Sequence, residues 1–362
     1  MKSRNPLLLA LLLFGCGSQA QKLPTRPLVI AYYTGDSKRI NEYNVAQLDQ
    51  IIFSFTHVKN DALTVDKAED SATIRYLVSF KKKYPKLKIL LSMGGWSACG
   101  PCSETFSREN GRKTFAQTTK QTLDYFGADG LDLDWEYPTI EGYPGHLYQP
   151  SDKTDFTKLI QQLRKTLGNR YELSFAAGGF QKYLDSSVEW QKIMPLVNRV
   201  NIMSYDLVNG YSKVTGHHTP LYSTKPDEES TDRAVRYLLN LGIPANKLVI
   251  GGAFYTRVWK HVAPTDNGLY QGGKPTNGVD FKHYDSVLTS ANGWQYFWDD
   301  KAHAPYWYNA KDSSFATGDD LHSIKDKTQY AIDNNLGGIM FWELVLDKTK
   351  NGMVEAIREV EK

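Results

Sequence analysis

The sequence predicts an α/β fold, a (β/α)8 TIM barrel with a small α+β insertion between the seventh strand and the seventh helix. Three observations carry this. Short apolar runs, several of them ended by glycine, alternate with amphipathic helical patterns along most of the 362 residues, the rhythm of a parallel sheet with crossover helices. Eight such runs occur, the number that closes a barrel. One interval of about sixty residues, rich in Gly, Tyr and Trp, breaks the rhythm.

Pro24 and Pro27 mark the entry to the barrel, which is expected to span residues 24–362. Residues 28–33 read as the first buried strand, residues 40–48 as a weak helix and residues 51–56 as the second strand. Ile74, Leu77, Val78 and Lys81 stand at helical spacing in 71–84, a helix stopped by Pro85. The third strand, 87–92, opens into Met93-Gly94-Gly95-Trp96, and a helix over 106–126 then feeds an acidic strand within 127–138. In the second half, residues 151–167 carry Phe156, Leu159, Ile160, Leu163 and Leu167 on one stripe, with Gly168 as the stop. Strands follow at 171–177 and 199–205, a helix capped by Ser230 and closed by Gly242 and Pro244, and a strand at 247–253. The last strand is 338–342, before a C-terminal helix from about residue 351. The irregular interval contains Tyr284, Trp294, Tyr296, Trp298, Tyr306, Trp307 and Tyr308. It reads as an inserted lobe over 260–315 that makes one wall of a groove.

Residues 1–20 read as a targeting segment: Lys2 and Arg4 precede an apolar run too short to span a membrane in the mature chain. Two exits stay open. Ser18-Gln19-Ala20 suits ordinary signal cleavage, and Leu13-Phe14-Gly15-Cys16 resembles a lipoprotein signal in which Cys16 is acylated. Either one takes the chain out of the cytoplasm, with a lipid on Cys16 as the sole expected membrane contact. A net charge of +3 gives no case for nucleic acid, and the Lys81-Lys82-Lys83 run reads as a solvated helix end. The 22 Tyr, 8 Trp and 15 Phe suit a carbohydrate cleft, where aromatic faces stack on sugar rings. No metal or cofactor is expected. His217 and His218 are adjacent, a poor arrangement for joint ligation, and no Gly-rich phosphate loop follows the first strand.

The chemistry concentrates in Gly-Ala-Asp-Gly-Leu-Asp-Leu-Asp-Trp-Glu-Tyr-Pro at 127–138. Asp132, Asp134 and Glu136 alternate with Leu131, Leu133 and Trp135, so a strand puts the acids on one face, roughly 6.6 Å apart. Carboxylates stacked this closely away from water cannot all ionise, and at least one pKa must rise. An antiparallel strand with a solvated acidic face is the bland alternative. It leaves the Leu-Leu-Trp face to be covered and ignores the surrounding strand–helix alternation.

This string resembles the D-x-x-D-x-D-x-E signature of family 18 glycoside hydrolases, the chitinase family, matched here by Asp129, Asp132, Asp134 and Glu136. Similar pieces stand at other strand ends: Met93-Gly94-Gly95-Trp96, Met203-Ser204-Tyr205-Asp206, Phe254-Tyr255-Thr256-Arg257 and Phe341-Trp342-Glu343. The resemblance implies hydrolysis of β-1,4-linked N-acetylglucosamine polymers with substrate assistance. In that scheme Glu136 protonates the leaving oxygen and later activates water, and the substrate's 2-acetamido oxygen attacks. Asp134 orients the acetamide, turning toward Asp132 when the site is empty, and Tyr205 donates its hydroxyl to the acetamido oxygen. Asp206 binds sugar, Trp342 stacks beneath the ring, and Tyr33 lines the floor. Arg257 binds sugar hydroxyls or holds a neighbouring acid. Gly95, Trp96, Tyr137 and Met203 complete the expected groove, and Asp129, of opposite parity, is expected to fix a junction. The partner implied is chitin or a chito-oligosaccharide, met by a monomer.

Cys99-Gly100-Pro101-Cys102 matches a thioredoxin-type redox motif, but the chain around it is no thioredoxin fold. In an exported chain the pair reads as a short disulfide stiffening the loop. The rival functions are an endo-β-N-acetylglucosaminidase on glycans, a catalytically silent chitin-binding lectin, and a redox protein using the two cysteines.

Overall fold

The computed structural model describes residues 26–361; Cys16 and the expected targeting segment lie outside them. Its first half comprises β1 (Leu28–Tyr33), β2 (Gln50–Lys59), β3 (Ala62–Thr64), α1 (Ala68–Ser79), β4 (Lys88–Gly94), α2 (Cys102–Ser107), α3 (Glu109–Phe126) and β5 (Gly130–Asp134). Next come α4 (Asp152–Leu167), β6 (Glu172–Gly178), α5 (Gln181–Ser186), α6 (Trp190–Ile193), β7 (Arg199–Met203), α7 (Thr231–Asn240) and β8 (Leu248–Ala253). A lobe of β9 (Thr256–Lys260), β10 (Lys274–Thr276), α8 (Tyr284–Val287), β11 (Trp294–Asp299), β12 (Ala304–Asn309) and β13 (Ser314–Gly318) intervenes before α9 (Leu321–Asp333), β14 (Gly338–Trp342) and α10 (Met353–Val360).

Parallel pairing runs β1-β14-β8-β7-β6-β5-β4-β2, and a β1–β2 ladder closes the ring. This is the (β/α)8 barrel the alternation predicted. Each strand alternates between two environments. Val29, Ala31 and Tyr33 face the helices, whereas Ile30 and Tyr32 face the barrel interior with Ile52, Leu90, Ala176, Val249 and Met340. These interdigitating interior side chains make the barrel a packed core rather than a pore. On β5 the interior positions are Asp132 and Asp134 instead of aliphatics. A stability-driven core avoids such a substitution, because a buried carboxylate loses its hydration.

The helices close the outer layer for local reasons. Ser230 Oγ accepts the Arg233 N–H at the start of α7, whose Ala234, Val235 and Leu238 are buried. Fully burying one such leucine contributes about 1.5–3 kcal/mol. Asp320 caps α9 by accepting the His322 and Ser323 amides, and Ser323 Oγ in turn accepts the Asp320 N–H.

The structure corrects several elements. The helix expected over 40–48 is two 3-10 turns, Arg39–Glu42 and Val45–Gln47. The long helix before the acidic strand is broken at Arg108, which is extended (φ −95°, ψ 135°) and separates α2 from α3. The second strand runs on to Lys59 and turns into the antiparallel β3. The acidic strand itself stops at Asp134, so Glu136 lies just past the ladder, where the chain enters the barrel mouth. The lobe is a five-stranded antiparallel sheet, β10-β9-β13-β12-β11, with a core of its own around Trp259, Tyr306, Tyr308 and Phe315.

Candidate active site

The acid row sits at the carboxyl ends of the strands, the end where barrels of this kind place their chemistry. Its base is Asp132, fully buried, with both oxygens occupied. Oδ2 accepts from Tyr32 Oη at 2.9 Å and Ser92 Oγ at 3.0 Å, and Oδ1 from Ser174 Oγ at 2.6 Å and Asn201 Nδ2 at 3.1 Å. Burial raises its pKa, with these four donors working against the rise.

Asp134 is 4% exposed and its Oδ1 has no hydrogen-bond partner. Burial, then the charges of Glu136 and Asp132, push its pKa well above the usual carboxylate range. The backbone of β4 makes this proximity feasible. Gly94 has φ +118°, a Cβ there would lie 2.1 Å from Asp134 O, and the Gly95 amide donates to that oxygen at 2.8 Å. Glu136 is half-buried and its pKa is raised to about 7, first by burial and then by the charge of Asp206, against a hydrogen bond with Tyr137. At neutral pH a large share of it carries a proton.

Tyr205 and Asp206 follow β7. Burial, then the nearby Asp134 and Glu136 charges, raise the Tyr205 pKa, so its hydroxyl stays a donor. A Cβ on Gly251 would meet the Tyr205 ring at 2.8 Å, so the bare glycine lets the ring lie against β8. Asp206 is gripped by Arg257, Nε to Oδ1 and Nη2 to Oδ2, each at 2.6 Å, and accepts from Tyr255 Oη at 2.9 Å. Burial opposes its ionisation, but the hydrogen bonds and the charge of Arg257 hold its pKa below the usual range. His218 Nδ1 lies 3.2 Å from the Asp206 amide, and Nε2 lies 3.2 Å from Tyr255 O. Those two bonds fix the neutral tautomer with the proton on Nε2, in keeping with the burial that lowers the His218 pKa.

Trp342 is half-buried beside Phe55, nearly parallel at 18° with centroids 5.6 Å apart, and tilted against Tyr32 at 5.9 Å. On another side of the mouth, Trp96 is exposed and touches the rings of Tyr137, Tyr143 and Tyr211 at 6.0–6.2 Å. Met203 is buried with the interior cluster. The Cys99 and Cys102 sulfurs are bonded, closing the loop just beyond Trp96. Asp129 stands outside the row, accepting the Ile89 amide and pairing with Lys81 at 2.8 Å.

Two expectations fail. Tyr33 does not line the floor: it faces the helices, and its hydroxyl donates to Asp36 O. Parity decides this, since Tyr32 takes the interior position one residue earlier. Asp134 does not turn onto Asp132, because Asp132 has both oxygens filled and the two share no hydrogen bond. Sequence reading also missed Tyr32, Phe55, Tyr255 and His218. His218, read only as half of a poor metal pair, is fully buried. Among the described residues no group of three or more His, Cys, Asp or Glu side chains converges to hold a metal ion.

With the geometry in place, comparison with known proteins is specific. The family described as Glycosyl hydrolases family 18 matches residues 28–347. Chitinase A1 of Niallia circulans is 34% identical over 77% of this chain, a stretch covering 43% of that protein's length. Chitotriosidase-1 of Mus musculus is 32% identical over 83% of this chain and 67% of its own length. The structure of a family 18 N-acetylglucosaminidase from Paenibacillus barengoltzii superposes with a TM-score of 0.84 at 33% identity, covering 92% of this chain and 100% of that one. The chain thus spans less than half of the first of these relatives.

Proposed function

The chain belongs to glycosyl hydrolase family 18, and from that premise we propose that it hydrolyses β-1,4 bonds between N-acetylglucosamine units with retention of configuration by substrate assistance. The observation that carries this reading is the state of the three acids around Glu136. An ordinary retaining glycosidase needs a second, ionised carboxylate free to attack the sugar. Asp132 is saturated with donors, Asp206 is held through both oxygens by Arg257, and Asp134 is buried with its pKa driven up. None of them is a free nucleophile. The attacking oxygen is therefore assigned to the substrate's acetamido group.

The roles follow from position. Glu136, protonated up to about pH 7, gives its proton to the leaving oxygen and then takes one from water. Asp134 is assigned to the acetamide N–H, and Tyr205 donates to the acetamide carbonyl. Trp342 is the ring platform, and Trp96 and Tyr137 line the leaving-group side. Chitinase A1 and chitotriosidase-1 bear chitinase names, and chitin chains or their oligomers are the substrate class proposed here. The Paenibacillus likeness over its full length favours a second reading, release of single N-acetylglucosamine units. A lectin-like reading is disfavoured by the intact acid row.

We further read the protein as an exported monomer whose residues 1–20 direct it out of the cytoplasm. No helix of the described residues is long and apolar enough to cross a membrane. Mass spectrometry of the mature N-terminus separates cleavage after Ala20 from acylation at Cys16. For the activity, the test is incubation with defined N-acetylglucosamine oligomers beside a cellulose oligomer, with product anomers followed by NMR. Initial β-anomer release from the acetylated oligomers alone is expected. Cleavage of the cellulose oligomer or first release of the α anomer refutes substrate assistance, and a monomer-only product selects the second reading.

A further inference from the structure

Behind the strand ends lies an ion pair that takes no part in the scheme above. Lys327 on α9 and Asp319, just after β13, both have wholly inaccessible side chains, with Nζ 2.7 Å from Oδ2. Such a pair is a poor way to stabilise a fold, since well-packed apolar residues of similar volume often do as well or better. Its partners point to another use.

Asp319 Oδ1 accepts from Ser323 Oγ at 2.7 Å, and Oδ2 accepts the Ala253 amide at 2.9 Å. Lys327 Nζ also donates to Thr219 Oγ1 at 2.5 Å. With its oxygen receiving from the ammonium, Thr219 has one proton left, and Ser204 O at 3.0 Å is a nearer acceptor for it than Asp319 Oδ2 at 3.3 Å. Ser204 Oγ is locked in turn, accepting the Gly251 amide at 3.0 Å and donating to Gly251 O at 3.2 Å.

The three tethered points share one property. Ser204 directly precedes Tyr205 and Asp206, Thr219 directly follows His218, and Ala253 stands just before Tyr255 and Arg257. Tyr255, Arg257 and His218 hold the Asp206 carboxylate and amide. One buried ammonium–carboxylate pair thus fixes every segment that contributes to that grip.

We propose that Lys327 and Asp319, acting through Thr219, are positioning residues that set Asp206 for the reaction. This rests on the role given to Asp206 above. Lys327 touches no substrate and lies on an outer helix, so its effect on turnover is indirect.

Removing the ammonium alone strands a buried carboxylate, so Thr219→Val is the first variant, deleting only the hydroxyl link. Lys327→Met combined with Asp319→Asn is the second. Each is made in the natural chain and in an Asp206→Asn background, and kcat/KM is measured on a chitin tetrasaccharide. Positioning predicts about a tenfold loss in the natural background and about twofold or less once Asp206 is gone, the non-additivity of residues that act as a unit. Equal losses in both backgrounds overturn the proposal. An activity-independent readout runs beside it: the Arg257 Nε–H signal in ¹⁵N NMR reports the charge-assisted bond to Asp206. It is expected to shift and exchange faster in both variants, and an unchanged signal overturns the proposal. Failure of the natural chain to cleave the tetrasaccharide removes the reaction assigned above, while the NMR signal still decides the tether.

Discussion

Asp132 and Asp134 point into the same barrel interior two residues apart, yet Asp132 accepts four hydrogen bonds while Asp134 Oδ1 accepts none. The first is a fixed foundation and the second is buried without a protein partner. An unpartnered buried carboxyl oxygen costs about 1–3 kcal/mol of desolvation that a ligand donor recovers. Asp134→Asn replaces one carboxyl oxygen by an amide donor that the acetamide N–H cannot use. It is expected to lower kcat by about a hundredfold or more, in line with the loss of one preorganised electrostatic partner, without lowering the melting temperature. Steady-state kinetics with a thermal melt checks both.

Glu136→Gln separates chemistry from stability. Loss of a general acid typically costs about 10²–10⁴ in rate, while oligomer binding by calorimetry is expected to persist. The folded protein holds the Glu136 proton up to about pH 7, whereas the unfolded chain releases it near the ordinary glutamate value. Between those values the native state binds the extra proton, so its stability falls as pH rises through the window. Glutamine has no proton to lose. The variant is therefore expected to match the natural chain below about pH 4.5 and to exceed it above pH 7, by at most about 3 kcal/mol. Chemical denaturation at both pH values reads the difference, and a gap that does not widen with pH rules out the raised pKa.

The Asp206 charge is one reason Glu136 keeps its proton, second to burial among the effects that raise it. Asp206→Asn removes that charge and leaves the Arg257 cation facing the site. Both changes favour the ionised form of Glu136. The alkaline limb of the kcat/KM profile, near pH 7 in the natural chain, is expected to move to lower pH. A limb that stays put or moves up assigns it to another group.

The barrel was legible because its strands are short apolar runs alternating with helical patterns, and the acid row because Asp132, Leu133, Asp134, Trp135 and Glu136 keep a period of two. Tyr32 and Tyr33 were not separable by the same means. Strand β1 is buried on both faces, apart from the half-buried Leu28 at its start. Its sequence, Leu-Val-Ile-Ala-Tyr-Tyr, therefore carries no alternation to set the parity. The grip on Asp206 was hidden for a different reason: His218, Tyr255 and Arg257 lie 12 to 51 positions away and meet it only through the loop after β7 and the start of the lobe. The break at Arg108 has only Gly111 to announce it, where a Cβ would lie 2.1 Å from Thr105 O across the kink.

The Cys99–Cys102 bridge closes a ring of few residues, and Cys102 N already donates to Cys99 O at 3.0 Å in the same turn. Chain entropy for so short a loop gives only about 2 kcal/mol. The double replacement Cys99→Ala with Cys102→Ala is expected to lower Tm by about 2–4 °C in a chain of this size. Both sulfurs are buried, so the effect on function passes through Trp96, and KM is expected to rise with kcat unchanged. A fall in kcat instead gives the pair a part in the chemistry.

Phe55 stacks on Trp342 at 5.6 Å and also fills the space over Gly95, where a Cβ would lie 2.6 Å from its ring. It ties the proposed sugar platform after β14 to the loop after β4, so the platform's tilt depends on a residue that touches no acid. An aromatic pair of this kind contributes about 0.5–1.5 kcal/mol beyond its buried area. If that energy holds Trp342 flat for the incoming ring, Phe55→Ala raises KM for the oligomers by about 2- to 10-fold and leaves the alkaline limb set by Glu136 where it was. Phe55→Leu keeps most of the volume but not the stacking, and is expected to behave like the alanine variant. Full activity in the leucine variant means that packing alone seats Trp342.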